Sequence, residues 1–274
     1  MQGLRRGSGP HAVAALAVAA ATVVGALSPA TATAAETRSD AARNRSFAEI
    51  RTPFRLDLAD RNDFVAQTNF VQCVGASMQM MLNIMGGTDR TAKTQVRLQE
   101  LARDLSGPTR DGFERKGASV RGWTDGLNAL DAGPYRMVGT DSIREAMRLA
   151  AISIRETGRP VGLLVWAGRH AWVMSGFQAT ADPRVTTDFT VTKAVVLDPL
   201  YPYGSSRWGR SPAPREAISI ATLGRQFVPR RRGTWPGALP GAAGLTMRAL
   251  AGKYVIVMPY TTVEVARPSR IIAA

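Results

Sequence analysis

Residues Val161–Phe177 read VGLLVWAGRHAWVMSGF. Two apolar runs rich in β-branched residues, Val161 to Ala167 and His170 to Phe177, flank the turn-forming pair Gly168-Arg169. A third run, Phe189 to Leu197, follows a longer loop around Ala181-Asp182-Pro183. Runs of this length, bounded by turn residues, predict consecutive antiparallel strands. Tyr254 to Met258 predicts a last strand ending at Pro259. Upstream the period is helical. In Cys73 to Met85, Val74, Met78, Met81, Leu82 and Met85 recur on one side, and Ala76, Met80 and Ile84 make the other side apolar too. A helix apolar all round is a buried one, and Gly86-Gly87 stops it. Its methionines read as adaptable core packing.

The remaining helices follow from similar signals. Thr91 to Leu105 predicts a surface helix ended by Ser106-Gly107-Pro108, and Trp123 to Leu130 a short one. Asp141 to Thr157 predicts a longer helix, with Ser142 and Glu145 spaced as a capping box and Gly158 just past its end. Thr52 to Leu56 reads as a short extended entry, and Ile218 to Phe227 contains a short helical piece in a Pro-, Gly- and Arg-rich stretch. Helices first and strands later define an α+β domain, without internal repeats.

The chain ends read as something other than fold. Arg5 and Arg6, an Ala/Val/Leu-rich stretch from His11 to Leu27, and small residues through Ala30, Ala32 and Ala34 predict a cleavable signal peptide over 1–34. A polar, flexible leader over 35–50, a folded domain over 51–262 and a tail over 263–274 complete the expected organisation. The expected location is therefore secreted or extracytoplasmic. No later segment is long and apolar enough for a membrane span in the mature chain.

The 274-residue chain carries a net charge of +14, to which Arg5 and Arg6 contribute two. Such a surface favours anionic partners, with cell-envelope polymers the foremost expectation. Paired-cysteine zinc patterns and aromatic strand motifs are missing, so no specific nucleic acid is expected. Arg230-Arg231-Arg232 reads as a solvated loop.

The chain contains one cysteine, Cys73, and two histidines, of which His11 falls in the signal segment. A lone cysteine makes no internal disulfide, and one Cys with one His cannot fill a zinc site without carboxylates. No Gly-x-Ser-x-Gly elbow and no Walker or Rossmann glycine loop occurs, and no cofactor is expected. The remaining economical reading joins Cys73 and His170 as nucleophile and base.

Each position suits that role. Cys73 starts the buried helix, where the positive end of the helix dipole favours the nucleophilic thiolate. His170 opens a strand and shares a strand face with Trp172, which predicts an aromatic neighbour for the imidazole. Asp198 closes the next strand and can fix the imidazole through its second N–H. Gln67, six residues before Cys73, can supply a side-chain donor to an oxyanion hole. Taken singly, each residue also has a bland reading: a small core thiol, a surface histidine, a turn-starting Asp-Pro and a polar loop residue.

Gln67-x5-Cys73, the helix Cys73-Val74-Gly75-Ala76-Ser77-Met78, Gly168-Arg169-His170-Ala171-Trp172-Val173 and Val196-Leu197-Asp198-Pro199 together resemble the papain-like cysteine peptidases of the bacteriocin-processing (double-glycine) type. The likeness is to free-standing secreted members and spans Gln67 to Met258. It implies a papain-like fold, with a helical half packed on an antiparallel sheet. Cys73 would be nucleophile, His170 base, Asp198 orienter, Gln67 oxyanion donor, and a peptide or protein the substrate. The chain departs from that family in carrying Val74, where the family usually has Gly. His170-Ala171-Trp172 and Asp198-Pro199 also resemble the transglutaminase-type core, although the Cys73–His170 gap is long for it. A non-catalytic envelope-binding module on the same fold is the second expectation, and transglutaminase-type acyl transfer the third.

Overall fold

A computed structural model describes residues 52–107, 116–231 and 249–261. The expected signal peptide over 1–34, the leader over 35–50 and the tail over 263–274 lie outside the described residues. In chain order the elements are β1 (Phe54–Asp57), α1 (Cys73–Ile84), α2 (Ala92–Asp104), α3 (Val120–Ala129), β2 (Tyr135–Thr140), α4 (Ile143–Thr157), β3 (Val161–Val165), β4 (His170–Ala179), β5 (Val191–Leu197), β6 (Gly204–Ser205), β7 (Gly209–Arg210), β8 (Glu216–Ser219), α5 (Ile220–Leu223) and β9 (Tyr254–Pro259). None of these helices is long and apolar enough to cross a membrane.

Seven strands form one antiparallel sheet in the order β2-β9-β3-β4-β5-β8, with β1 pairing to β4. β3 pairs with residues 170–174 of β4 and β1 with residues 176–179, so β1 and β3 run end to end along one side of β4. The fold is α+β with an antiparallel sheet, as the change of period predicts. The 54–57 segment is a paired strand, with Asp57 accepting from Ser175 Oγ at 2.8 Å and from Arg215 Nε at 2.9 Å.

The sheet is buried on both faces. Along β4, Ala171 and Val173 enter a core with α1, α2 and α3, whereas Trp172 and Met174 enter a second core with α4. β9 alternates in the same way, Val255 and Val257 facing one core and Ile256 and Met258 the other. Side chains on a strand alternate between faces, so a strand covered on both sides reads as a continuous apolar run. That explains the unbroken apolar stretches of β3 and β4. It also corrects the picture of one helical half on the sheet: α4 covers the face opposite α1–α3. A further difference lies at 216–219, where β8 stands immediately before a helix of one turn. The Ala146, Met147, Ala150, Ala151 and Ile154 stripe of α4 gives that helix its buried face.

Caps set the helix starts. Thr91, Ser119 and Ser142 accept from the backbone N–H three residues on, at the starts of α2, α3 and α4. Among the described residues, Gln72 supplies no such side-chain cap to α1.

Candidate functional site

Cys73 is the first residue of α1, half-buried and unpaired. α1 lies against β4, and Ser77 Oγ donates to the Ala171 carbonyl at 3.2 Å, tying the helix start to the strand that carries His170. Its first turn is also locked to α2. A Cβ on Gly75 would stand 2.6 Å from the Gln95 carbonyl oxygen and 2.8 Å from Gln99 Cβ, so only glycine allows this approach. Gly75 N–H, one of the amides a helix start leaves without an intrahelical partner, donates to Gln99 Oε1 at 2.9 Å. Val74, the departure from the family pattern, is buried in the core under α1.

His170 is delivered by a tight turn. Gly168 and Arg169 N–H both donate to the Val165 carbonyl, at 3.0 and 3.1 Å. Trp166 and Ala167 each hold φ of 57°, left-handed values unusual for residues with a side chain, and Gly168 follows at 94°. The imidazole is 4% exposed. Its Nε2 lies 2.7 Å from Asp198 Oδ1. Asp198 follows β5 and is fully buried, and the same oxygen accepts from Leu200 N–H at 2.9 Å. A carboxylate oxygen already accepting one N–H accepts a second from Nε2. That arrangement leaves Nδ1 as the ring nitrogen for Cys73. Asp198 Oδ2 is buried with no hydrogen-bond partner among the described residues.

The electrostatics join the three groups. Burial opposes charge on His170, but the hydrogen bond it donates to the Asp198 carboxylate, together with the nearby Cys73, outweighs burial and pushes the imidazole up to about 9. A buried histidine raised above its ordinary 6.5 is one whose positive charge its neighbours favour. The Asp198–His170 hydrogen bond, with Cys73 among the groups that act on the imidazole, brings the three sequence-predicted residues into one site.

Gln67 sits on the neighbouring loop. Its N–H donates to the Pro199 carbonyl at 2.8 Å, which fastens this loop to the residue after Asp198. Its side-chain Nε2 donates to the Asn69 carbonyl at 2.9 Å, leaving one further N–H, while Oε1 is buried without a partner among the described residues. The loop is clamped from α2: Gln95, fully buried, accepts from Thr68 N–H at 2.8 Å and donates to the Ala66 carbonyl at 2.9 Å. Gln95 and Gln99 escaped the sequence reading. Their signal was available, since they lie on the helix face shared with buried Leu98 and Ala102, where a polar side chain needs a partner.

The aromatic neighbour of His170 is not Trp172. That ring points into the α4 core, and Trp166 stacks on the imidazole instead, centroids 4.2 Å apart and planes 27° apart. His170 pairs across the hairpin with Val165, and the left-handed turn folds the next residue back over it. In the Arg230–Arg232 run Arg230 is not simply solvated, since it packs its Cγ against Gly168; Arg231 is exposed, with its backbone N–H donating to the Ala167 carbonyl at 3.1 Å, and Arg232 lies outside the described residues. Burial lowers the basicity of Arg230. In the loop after Asp198, Tyr201 meets Phe64 edge-on at 6.2 Å and Tyr203 is largely exposed.

Among the described residues no three His, Cys, Asp or Glu side chains converge as a metal-binding group. Comparison of the chain with protein-family models, with curated proteins and with solved structures returns no match in any of the three.

Proposed function

We propose that this chain is an exported papain-like cysteine hydrolase, a peptidase of the bacteriocin-processing type in its site residues, acting on a peptide or protein. The observation that carries the reading is the buried His170–Asp198 pair, with Nε2 2.7 Å from the carboxylate, on a strand tied to the helix that Cys73 starts. The helix bearing Cys73, packed on the strand bearing His170, supports a papain-like arrangement.

The chemistry follows from the protonation of that line. The Cys73 thiolate adds to an amide carbonyl, forming the C–S bond, and the oxyanion is met by the Cys73 N–H and the spare N–H of Gln67 Nε2. His170, as imidazolium, gives its proton to the leaving nitrogen as the C–N bond breaks. The neutral imidazole then takes a proton from water, whose oxygen attacks the thioester, releasing the acid and restoring the thiolate–imidazolium pair. Asp198 holds Nε2–H throughout and keeps the ring in the tautomer the cycle needs. The signal-like residues 1–34 support export, and the basic composition supports contact with anionic envelope polymers as a second partner.

The test compares peptides released from a whole extracellular proteome by the full chain and by Cys73→Ala. Cleavages present only with the native thiol are expected. An Ala variant that generates the same peptides ends this reading.

A further inference from the structure

The turn that delivers His170 is held from outside by a side chain that touches none of the three reactive groups. Trp166 adopts a left-handed backbone conformation, which a bulky residue keeps only where its surroundings over-determine it. Gln226 supplies that hold twice. Its carbonyl accepts Trp166 N–H at 2.8 Å, and its side-chain Oε1 accepts the indole Nε1–H at 2.8 Å. Gln226 is itself fixed: it is 7% exposed, its Nε2 donates to the Arg210 carbonyl at 3.0 Å, and its own N–H reaches Leu223 O at 2.9 Å. The next residue, Phe227, is fully buried and packs edge-on against Tyr254 at 5.4 Å. The indole so held is the ring stacked on His170.

We infer that Gln226 is a positioning residue, which sets the plane of the His170 imidazole through Trp166. A ring stacked at 4.2 Å cannot turn about its Cβ–Cγ bond without passing edge-on through the indole. The stack therefore keeps Nε2 on Asp198 and Nδ1 on the thiol side, and it covers that hydrogen bond from water. The indole keeps its place because both N–H groups of Trp166, main-chain and side-chain, end on one buried residue. The inference rests on reading Cys73 and His170 as a reactive pair, and it adds a residue far from both in sequence.

The experiment measures the pH profile of Cys73 alkylation by iodoacetamide in the full chain, which has no other cysteine. The variants are Gln226→Ala, Gln226→Glu, Trp166→Phe, the double variant Trp166→Phe/Gln226→Ala, and His170→Ala as reference. Gln226→Ala and Trp166→Phe should each slow alkylation near neutral pH by about 3- to 10-fold, the worth of one neutral hydrogen bond. Each should move the profile in the direction His170→Ala moves it. The double variant should be no slower than either single, because both remove the same bond. Gln226→Glu keeps an acceptor for the indole N–H but loses the donor to the Arg210 carbonyl, and should be slowed less than Gln226→Ala, which a loss of fold would not allow. A native profile for Gln226→Ala, single effects that multiply, or a Glu variant as impaired as Ala overturns the inference. If Gln226→Ala does not fold, a native profile for Trp166→Phe overturns it instead. A His170→Ala profile identical to the native one would sink the reactive-pair reading itself, a result separate from failure of Gln226 alone.

Discussion

Replacing Asp198 by Asn separates the charge of the orienting group from its shape. The amide oxygen can still accept from Leu200 N–H and His170 Nε2–H, the two bonds now made by Oδ1 at 2.9 and 2.7 Å. The amide nitrogen would replace Oδ2, which has no partner among the described residues, so the variant adds an unsatisfied buried donor costing about 1–3 kcal/mol of stability. The larger change is electrostatic. The imidazole stands at about 9 against an ordinary 6.5, a net rise that already includes the opposing effect of burial. Each unit corresponds to about 1.4 kcal/mol, so the groups favouring the imidazolium outweigh burial by about 3 kcal/mol. The Asp198 hydrogen bond is the largest of these, ahead of Cys73.

Without the carboxylate charge, the His170 midpoint should fall by about one unit or more, leaving Cys73 as the remaining support against burial. The assay is an NMR titration of the imidazole in a His11→Ala background, which leaves a single histidine in the chain. Turnover should drop about 10-fold in Asp198→Asn, because the ring stays oriented but its charge is less supported. Asp198→Ala should lose more, since Leu200 N–H and Nε2–H both lose their acceptor. A His170 midpoint that stays at about 9 in Asp198→Asn would refute the reasoning, because the proton would then be held by something other than the carboxylate.

Two further outcomes follow from the same geometry. In the proposed cycle the imidazolium protonates the leaving group, and it exists below the His170 midpoint, so turnover should fall as pH rises through about 9, read from the alkaline limb of a pH–rate profile. Gln95→Leu removes both bonds of the clamp on residues 66–68 and should cost about 1–3 kcal/mol in denaturant unfolding. It should also lower turnover while leaving the Cys73 alkylation profile unchanged, since the clamp serves the Gln67 loop and not the imidazole.

The sequence exposes the candidate residues because each sits where an element begins or ends. Cys73 starts an apolar helix, His170 follows a glycine turn, and Asp198 ends an apolar run before proline. Those boundaries are set by local propensity, which neighbouring residues carry. The face of the sheet that α4 covers is a different kind of fact. An amphipathic stripe says that a helix buries one side, but not against which side of the sheet. Strands apolar on both faces fit two layers of helices, and the length of the β3 and β4 apolar runs was the readable hint.

The same distinction explains why the imidazole's aromatic partner was misassigned. Period-two alternation correctly puts His170 and Trp172 on one face, but a same-face neighbour on one strand lies two residues away, roughly 7 Å along the chain. Across a hairpin the neighbour is nearer, and here the turn reverses through two left-handed residues that bring Trp166 over the ring. Nothing in Val165-Trp166-Ala167-Gly168 announces that conformation, because neither Trp nor Ala favours it. What stabilises it is Gln226, sixty residues on, and Arg231 beyond it. The candidate groups are thus legible from their own surroundings. The parts that aim them (Gln226 through Trp166, and Gln95 and Gln99 from α2) are long-range partners, found only once the chain has brought their hydrogen bonds together.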